Sequence, residues 1–141
     1  GGTPNDIVTS ITYGRMGSMP AWKAVLGAEG VEDVSKYVLS LGNGNSSANS
    51  TENSTEGSPG SATYATMCMA CHGADGTGNP MMGAPNLTDD VWLYGGTLDQ
   101  VKESIGNGRN GQMPAHEKTL SKVKIHILAT YVYGLSHKQS P

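Results

Sequence analysis

The sequence predicts an all-α fold in which short helices are separated by loops rich in glycine and proline. Apolar residues recur at spacings of three and four in several segments, which is the periodicity of helices with one buried face. No segment carries the run of β-branched residues that is typical of a strand. With 20 glycines among 141 residues and a hydrophobic share of 36%, the side chains alone supply little material for a core.

The charge and hydropathy of the chain argue against two classes of function. The formal net charge is −3, so the sequence offers no basic surface for nucleic acid. No apolar run approaches the length of about 20 residues that spans a bilayer, and no signal sequence opens the chain.

The first 41 residues recur later in the chain. Residues 1–41 align without a gap on residues 95–135, and 15 of the 41 aligned positions are identical. We interpret residues 1–42 as the C-terminal half of a repeat whose front half is absent, because no cysteine precedes Met19. The alternative is a helical partner or extension of the rest. The identities include Gly-Gly-Thr at 1–3 and 95–97, and Met-Pro-Ala at 19–21 and 113–115.

Two helices are predicted in the first copy. Pro4–Ile11 has proline in its first turn and an apolar face. Val31–Leu41 carries an apolar stripe that needs a partner. Residues 43–60, which are rich in asparagine, serine and glycine, predict a flexible linker. The stripe of the second helix consists of Val31, Val34, Tyr37, Val38 and Leu41.

A complete domain is predicted at residues 61–136. Its first helix, Ser61–Cys71, carries Tyr64 and Met67 inward, and Gly73–Asn86 is a loop because glycine and proline interrupt it throughout. Three further helices follow, and residues 137–141 form a tail. The N-caps of these three helices are the Thr88-Asp89-Asp90 segment, Thr97, and either Thr119 or Ser121. Their apolar positions are Val91, Trp92 and Leu93, then Leu98, Val101 and Ile105, then Ile125, Leu128, Ala129 and Val132.

The only two cysteines belong to a C-x-x-C-H motif, Cys68-Met69-Ala70-Cys71-His72. Two thiols at this spacing lie on one turn, where both can add across the vinyl groups of one haem, and the adjacent histidine can bind the iron. The motif therefore predicts one covalently attached haem c. A redox-active dithiol is disfavoured because no βαβ pattern surrounds the motif. A zinc site is disfavoured because His116, His126 and His137 provide no matching ligand pair.

The loops of the domain suggest the partners of this haem. His72 needs an acceptor for its second ring N–H, and the carbonyl of Pro85 in a rigid loop is the candidate. Met113 is the preferred sixth ligand, because it lies in the loop Gly106–His116, precedes a proline and is repeated as Met19. The alternatives are Met81 and Met82 in the earlier loop and, less favourably, Met67 and Met69 beside the cysteines.

Several polar and aromatic residues near these loops have two interpretations. Arg109, and Arg15 in the first copy, can pair with haem propionates or remain solvated. Trp92 and Tyr94 can donate to a propionate, although packing in the core is the preferred interpretation. His116 and His126 are predicted to lie on the surface or on a helix face rather than to be ligands.

Residues 64–135 resemble a class I cytochrome c. The closer resemblance is to the dihaem subunit family, CcoP or FixP (subunit III), of cbb(3)-type cytochrome c oxidases. Three segments of the chain resemble the second haem domain of that subunit. They are Gly-Ala-Pro-Asn-Leu-Thr-Asp-Asp-Val-Trp-Leu-Tyr-Gly-Gly, Gly-Arg-Asn-Gly-Gln-Met-Pro-Ala-His and Tyr-Val-Tyr-Gly-Leu. The back half of the first haem domain is similar to Gly-Gly-Thr and Gly-Arg-Met-Gly-Ser-Met-Pro-Ala-Trp.

This resemblance implies a class I cytochrome c fold around one covalent haem. Cys68 and Cys71 are then the thioether anchors, and His72 and Met113 the axial ligands. Met19 becomes the ligand of a first haem whose attachment segment is absent.

The resemblance also implies an electron carrier rather than an enzyme. In that family the subunit passes electrons from soluble cytochromes to the oxidase core, which reduces oxygen. We therefore expect a position on the periplasmic side of the bacterial inner membrane, with any export signal or anchor upstream of Gly1. The alternative is a haem enzyme or gas-binding module with a displaceable sixth ligand.

Overall fold

The structure, a computed structural model, describes residues 2–42 and 57–137, which are mostly helical and contain one two-stranded sheet. The predicted all-α class is right for most of these residues and wrong for the two strands. Most of the predicted linker (43–60) and tail (137–141) lies outside the described residues. The helices are α1 (Pro4–Tyr13), α2 (Lys23–Gly42), α3 (Pro59–Thr63), a π-helix (Tyr64–Cys68), α4 (Met69–His72), a 3-10 helix (Pro80–Met82), α5 (Leu98–Asn107) and α6 (Lys122–Ser136). The strands are β1 (Arg15–Met19) and β2 (Arg109–Met113).

The helices of the two repeat copies begin in the same way. Thr3 precedes α1 and Thr97 precedes α5, and each forms a capping box with the third helical residue, Asp6 or Gln100. Ser121, one of the two predicted candidates, caps α6. Along residues 2–42 and 57–137, no helix combines the length and apolar character needed to cross a membrane.

Residues 17–110 form the larger of two compact units. Within it α2 packs against both α3 and α5, so helices of the second repeat copy bury the apolar stripe of α2. The helix is longer than predicted and is interrupted at Gly27, where φ is 68°. The buried core consists of Val31, Val34, Val38, Tyr64, Cys68, Val101 and Ile105.

The smaller unit consists of residues 1–16 and 111–141, and within it α1 packs against α6. Its buried core is small and comprises Ile11, Ile125 and Ala129. Leu128 and Val132, which the sequence predicts on the buried stripe of α6, are exposed instead. Each unit therefore pairs a helix of one repeat copy with a helix of the other. The boundaries 1–42 and 61–136 follow the repeat in the sequence and stay a prediction.

The predicted loop at 106–116 contains β2, and the equivalent segment of the first copy contains β1. Gly14 and Gly108 precede the strands with φ of 73° and 71°, a region that favours glycine. A Cβ at Gly108 would lie 2.5 Å from the Met19 carbonyl oxygen, and one at Gly14 would meet the Met113 carbonyl oxygen. The strands escape prediction because these segments lack the alternation of apolar and polar residues that marks a strand.

Two local predictions are wrong. Residues 91–93 are not helical, and Val91 and Leu93 are exposed. Side-chain oxygens of Asn86 and Asp89 accept backbone N–H groups two residues ahead, and such turns compete with a helix. Met67 faces outward, because Tyr64 and the residue four positions later, Cys68, take the buried face.

Candidate functional site

The C-x-x-C-H motif lies where the π-helix passes into α4. The Met69 N–H donates to the Tyr64 carbonyl oxygen five residues earlier, which widens this turn. Cys68 is buried and Cys71 is half-buried, and both thiols are free. The two sulfurs therefore lie three residues apart on neighbouring turns of one continuous helical segment, as attachment to a single group requires.

His72 is buried and oriented by the loop that follows it. Its Nδ1 lies 3.1 Å from the Pro85 carbonyl oxygen, which accepts the hydrogen bond, so the proton is on Nδ1. The lone pair of Nε2 is then available for a metal ion. This donor set fits a haem iron, and the contact itself is the one expected from the sequence.

Gly78 brings the loop against His72. Its N–H donates to the His72 carbonyl oxygen at 2.8 Å, and its φ is 82°. A Cβ at this position would lie 2.6 Å from the Pro85 carbonyl group, so only glycine allows this approach. The glycine-rich loop thus serves to position Pro85 on the imidazole.

Tyr64 bonds to the residue that follows the motif. Its hydroxyl donates to the Gly73 carbonyl oxygen at 2.8 Å, directly after the histidine. Its ring contacts that of Tyr37 in α2, with centroids 5.2 Å apart. Burial raises the pKa of the Tyr64 hydroxyl to about 12, so it stays protonated and remains a donor.

Burial also raises the pKa of the Cys68 thiol to about 11, with a smaller contribution from Cys71. Redox-active dithiols depend on a thiolate of lowered pKa, and the environment of Cys68 acts in the opposite direction. The burial of Cys68 therefore argues against a dithiol oxidoreductase.

The methionines lie in different surroundings. Met113, the preferred sixth ligand, belongs to the smaller unit, whereas His72 belongs to the larger one. Met81 is almost fully exposed and Met82 half exposed. Met19 is half-buried and packs against the core cluster that contains Cys68. Sequence reasoning assigned Met19 to an absent haem, although the repeat already marked it as the equivalent of Met113.

Arg109, the first residue of β2, is held by the preceding helix, α5, and by an aromatic ring. It donates to the Ser104 hydroxyl at 2.9 and 3.0 Å and lies 4.5 Å from the centroid of the Tyr94 ring. Arg15 donates to the equivalent Ser10 hydroxyl at 2.8 Å. Trp92 packs against the core of the larger unit. A propionate partner for Arg109 stays a prediction.

Two thiols and an oriented histidine at the end of a helix, within a mostly helical fold, are the features of a c-type cytochrome. The profile of the family described as cytochrome c oxidase, cbb3-type, subunit III matches residues 55–132, which is more than half of the chain. The chain belongs to this family, which implies covalently bound haem c.

The curated relatives agree with this assignment. CcoP of Rubrivivax gelatinosus is 41% identical over 96% of the chain, and CcoP of Cereibacter sphaeroides is 37% identical over 96%. FixP of Azorhizobium caulinodans is 35% identical over 99%. Each is named a cbb3-type cytochrome c oxidase subunit. The chain covers 43%, 48% and 48% of these proteins, so it spans about half of their length.

Proposed function

We propose that the chain carries electrons through one haem c that is anchored on Cys68 and Cys71 and bound by His72. The observation that supports this most directly is the hydrogen bond from His72 Nδ1 to the Pro85 carbonyl, because it leaves Nε2 aimed as a ligand beside two free thiols. When bound, the haem iron takes up and releases one electron.

The residues of the site have separate roles in this proposal. Each thiol adds across one vinyl group: sulfur bonds to one carbon, and the thiol hydrogen passes to the other. The Pro85 carbonyl fixes the imidazole and makes it a stronger donor. Arg109 pairs with a propionate. A methionine sulfur from one of the two Met-Pro-Ala triplets occupies the sixth position, and the sequence favours Met113.

The relatives suggest the setting. They are named as subunits of a cbb3-type oxidase, so we propose that electrons pass from soluble c-type cytochromes through this haem to the core of such an oxidase. The corresponding location is the periplasmic side of a bacterial inner membrane. The haem serves as a relay in this role, and reduction of oxygen belongs to the core.

The test is a pyridine haemochrome spectrum of the denatured chain after expression with a cytochrome c maturation system. We expect one covalent haem per chain, with the spectrum of two thioether bonds. Cys71→Ala should give the spectrum of a single thioether. A denatured wild-type chain without covalent haem contradicts the proposal and leaves a dithiol or zinc module as the better interpretation.

A further inference from the structure

The helices α2 and α6 are equivalent in the repeat, but each packs against a helix of the other repeat copy. In the order of the chain, α1 is followed by α2 in the first copy and α5 by α6 in the second. In the structure α5 packs against α2, and α1 packs against α6. The helix that bears the haem motif is therefore covered by a segment of the other repeat copy.

Two equivalent hydrogen bonds show the same exchange. The Trp22 N–H donates to the Ile105 carbonyl oxygen at 3.0 Å, and the His116 N–H donates to the Ile11 carbonyl oxygen at 3.0 Å. The repeat aligns Trp22 with His116, and Ile11 with Ile105. Each loop thus bonds to the helix of the other copy, at equivalent positions and at the same distance.

The burial of α2 is greater than that of α6. Val34 is 0% exposed, whereas the equivalent Leu128 is 40% exposed. Val38 is 5% exposed, and Val132 is 43% exposed. In addition to α5, α2 packs against α3 and the π-helix, and its buried residues share one core cluster with Cys68.

The charges on α5 favour α2 over α6. Lys102 in α5 lies 3.1 Å from the carboxylate of Glu32 in α2. The residue of α6 that aligns with Glu32 is His126, which offers Lys102 no carboxylate. Packing α6 in this place would therefore remove an ion pair and bring two basic residues together.

We propose, on the basis of the function proposed above, that Met19 rather than Met113 is the sixth ligand of the haem held by His72. Met19 ends β1 inside the larger unit and packs against the cluster that contains Cys68. Gly108 lies close against the Met19 backbone, since a Cβ at Gly108 would come within 2.5 Å of the Met19 carbonyl oxygen. The ligand therefore comes from the repeat copy that has no cysteines of its own.

The matched variants Met19→Ala and Met113→Ala test this in the full chain. We expect Met19→Ala to remove the sulfur-to-iron charge-transfer band of the oxidised protein, and Met113→Ala to retain it. The reverse result, or a band that survives both changes, overturns the proposal. A haemochrome spectrum on the same samples distinguishes failure of the proposed function from failure of the ligand assignment. A chain without covalent haem contradicts the proposed function itself.

A second measurement uses the nuclear magnetic resonance signals of the methionine methyl groups and the more conservative changes to leucine. In the reduced wild-type protein with isotope-labelled methionine methyl groups, one methyl should show the large upfield shift of a group above a haem ring. Met19→Leu should remove one of the seven methionine signals, and the one removed should be the shifted one. If Met113→Leu removes the shifted signal instead, the sixth ligand is Met113 and α6 covers the haem.

Discussion

The helices α2 and α6 occupy the same position in the repeat but have different environments. Both carry the pair Tyr-Val, at 37–38 and 131–132. Tyr37 is half-buried and contacts the Tyr64 ring, whereas Tyr131 is 65% exposed. The sequence determines that both segments are helical, and the partner determines which apolar positions become core. The comparison therefore concerns why α2, and not α6, packs against the helices that lead to the C-x-x-C-H motif.

The largest effect is expected from removing both thiols that would anchor the proposed haem. The double variant Cys68→Ala/Cys71→Ala should give little folded protein, because a small glycine-rich fold without its cofactor has too little core. Far-ultraviolet circular dichroism and the yield of soluble chain measure this. A stable apo-form with full helical content would show that α2 and α6 fold without the haem.

The comparison is sharpened by the matched pair Val34→Ala and Leu128→Ala. The first removes a fully buried side chain and should lower the free energy of unfolding by about 2 kcal/mol. The second changes an exposed residue and should cost less than about 1 kcal/mol. Both tryptophans of the chain, Trp22 and Trp92, lie in the larger unit, so their fluorescence reports its unfolding in urea. Equal effects would mean that both helices are equally buried in solution.

The glycines before the strands provide a further matched pair. Gly108→Ala introduces a Cβ against the Met19 carbonyl at positive φ, so it should destabilise the larger unit by more than about 1 kcal/mol. Gly14→Ala makes the equivalent change against Met113 and should leave the tryptophan transition unchanged. A shift of that transition by Gly14→Ala instead would place α6 rather than α2 beside the tryptophans.

The smallest effect concerns the ion pair that distinguishes the helices. Hydrogen bonds from Lys36 and then Lys102 hold the pKa of Glu32 below its ordinary value. The ionised Glu32 carboxylate therefore stabilises the fold above the ordinary carboxyl pKa of about 4.3. This contribution to the free energy of unfolding is lost as the pH falls through the lowered pKa. Glu32→Gln should therefore lower the melting temperature slightly at pH 7 and not in strong acid. Glu29→Gln, on the same helix, is the control, and an equal loss there would indicate a general charge effect.

The sequence predicted the features that depend on neighbouring residues. The capping of α5 by Thr97, the inward position of Tyr64 and the hydrogen bond of His72 to Pro85 are all present in the structure. Each depends on residues within one helix or on a loop that leads directly from it. Whether His72 binds iron stays a prediction.

The partner of each helix could not be predicted in the same way. Because residues 1–41 repeat 95–135, α2 and α6 carry similar apolar stripes, and the choice of partner depends on side chains scattered over both copies. The pair Glu32 and Lys102 is one example, since 70 residues separate its members. The two strands were missed for a related reason: they exist only as partners of each other.

The placement of Met19 and Met113 within strands has a thermodynamic consequence. Each methionine is the last residue of a strand that leads towards its helix. In the proposed site, binding of its sulfur to iron would therefore be coupled to the docking of that helix. Because a thioether favours ferrous iron, reduction strengthens the bond and thereby the hold on whichever helix supplies it. In the proposed site, the oxidation state of the haem would therefore influence how firmly that helix is held, and the docked helix would in turn influence the reduction potential.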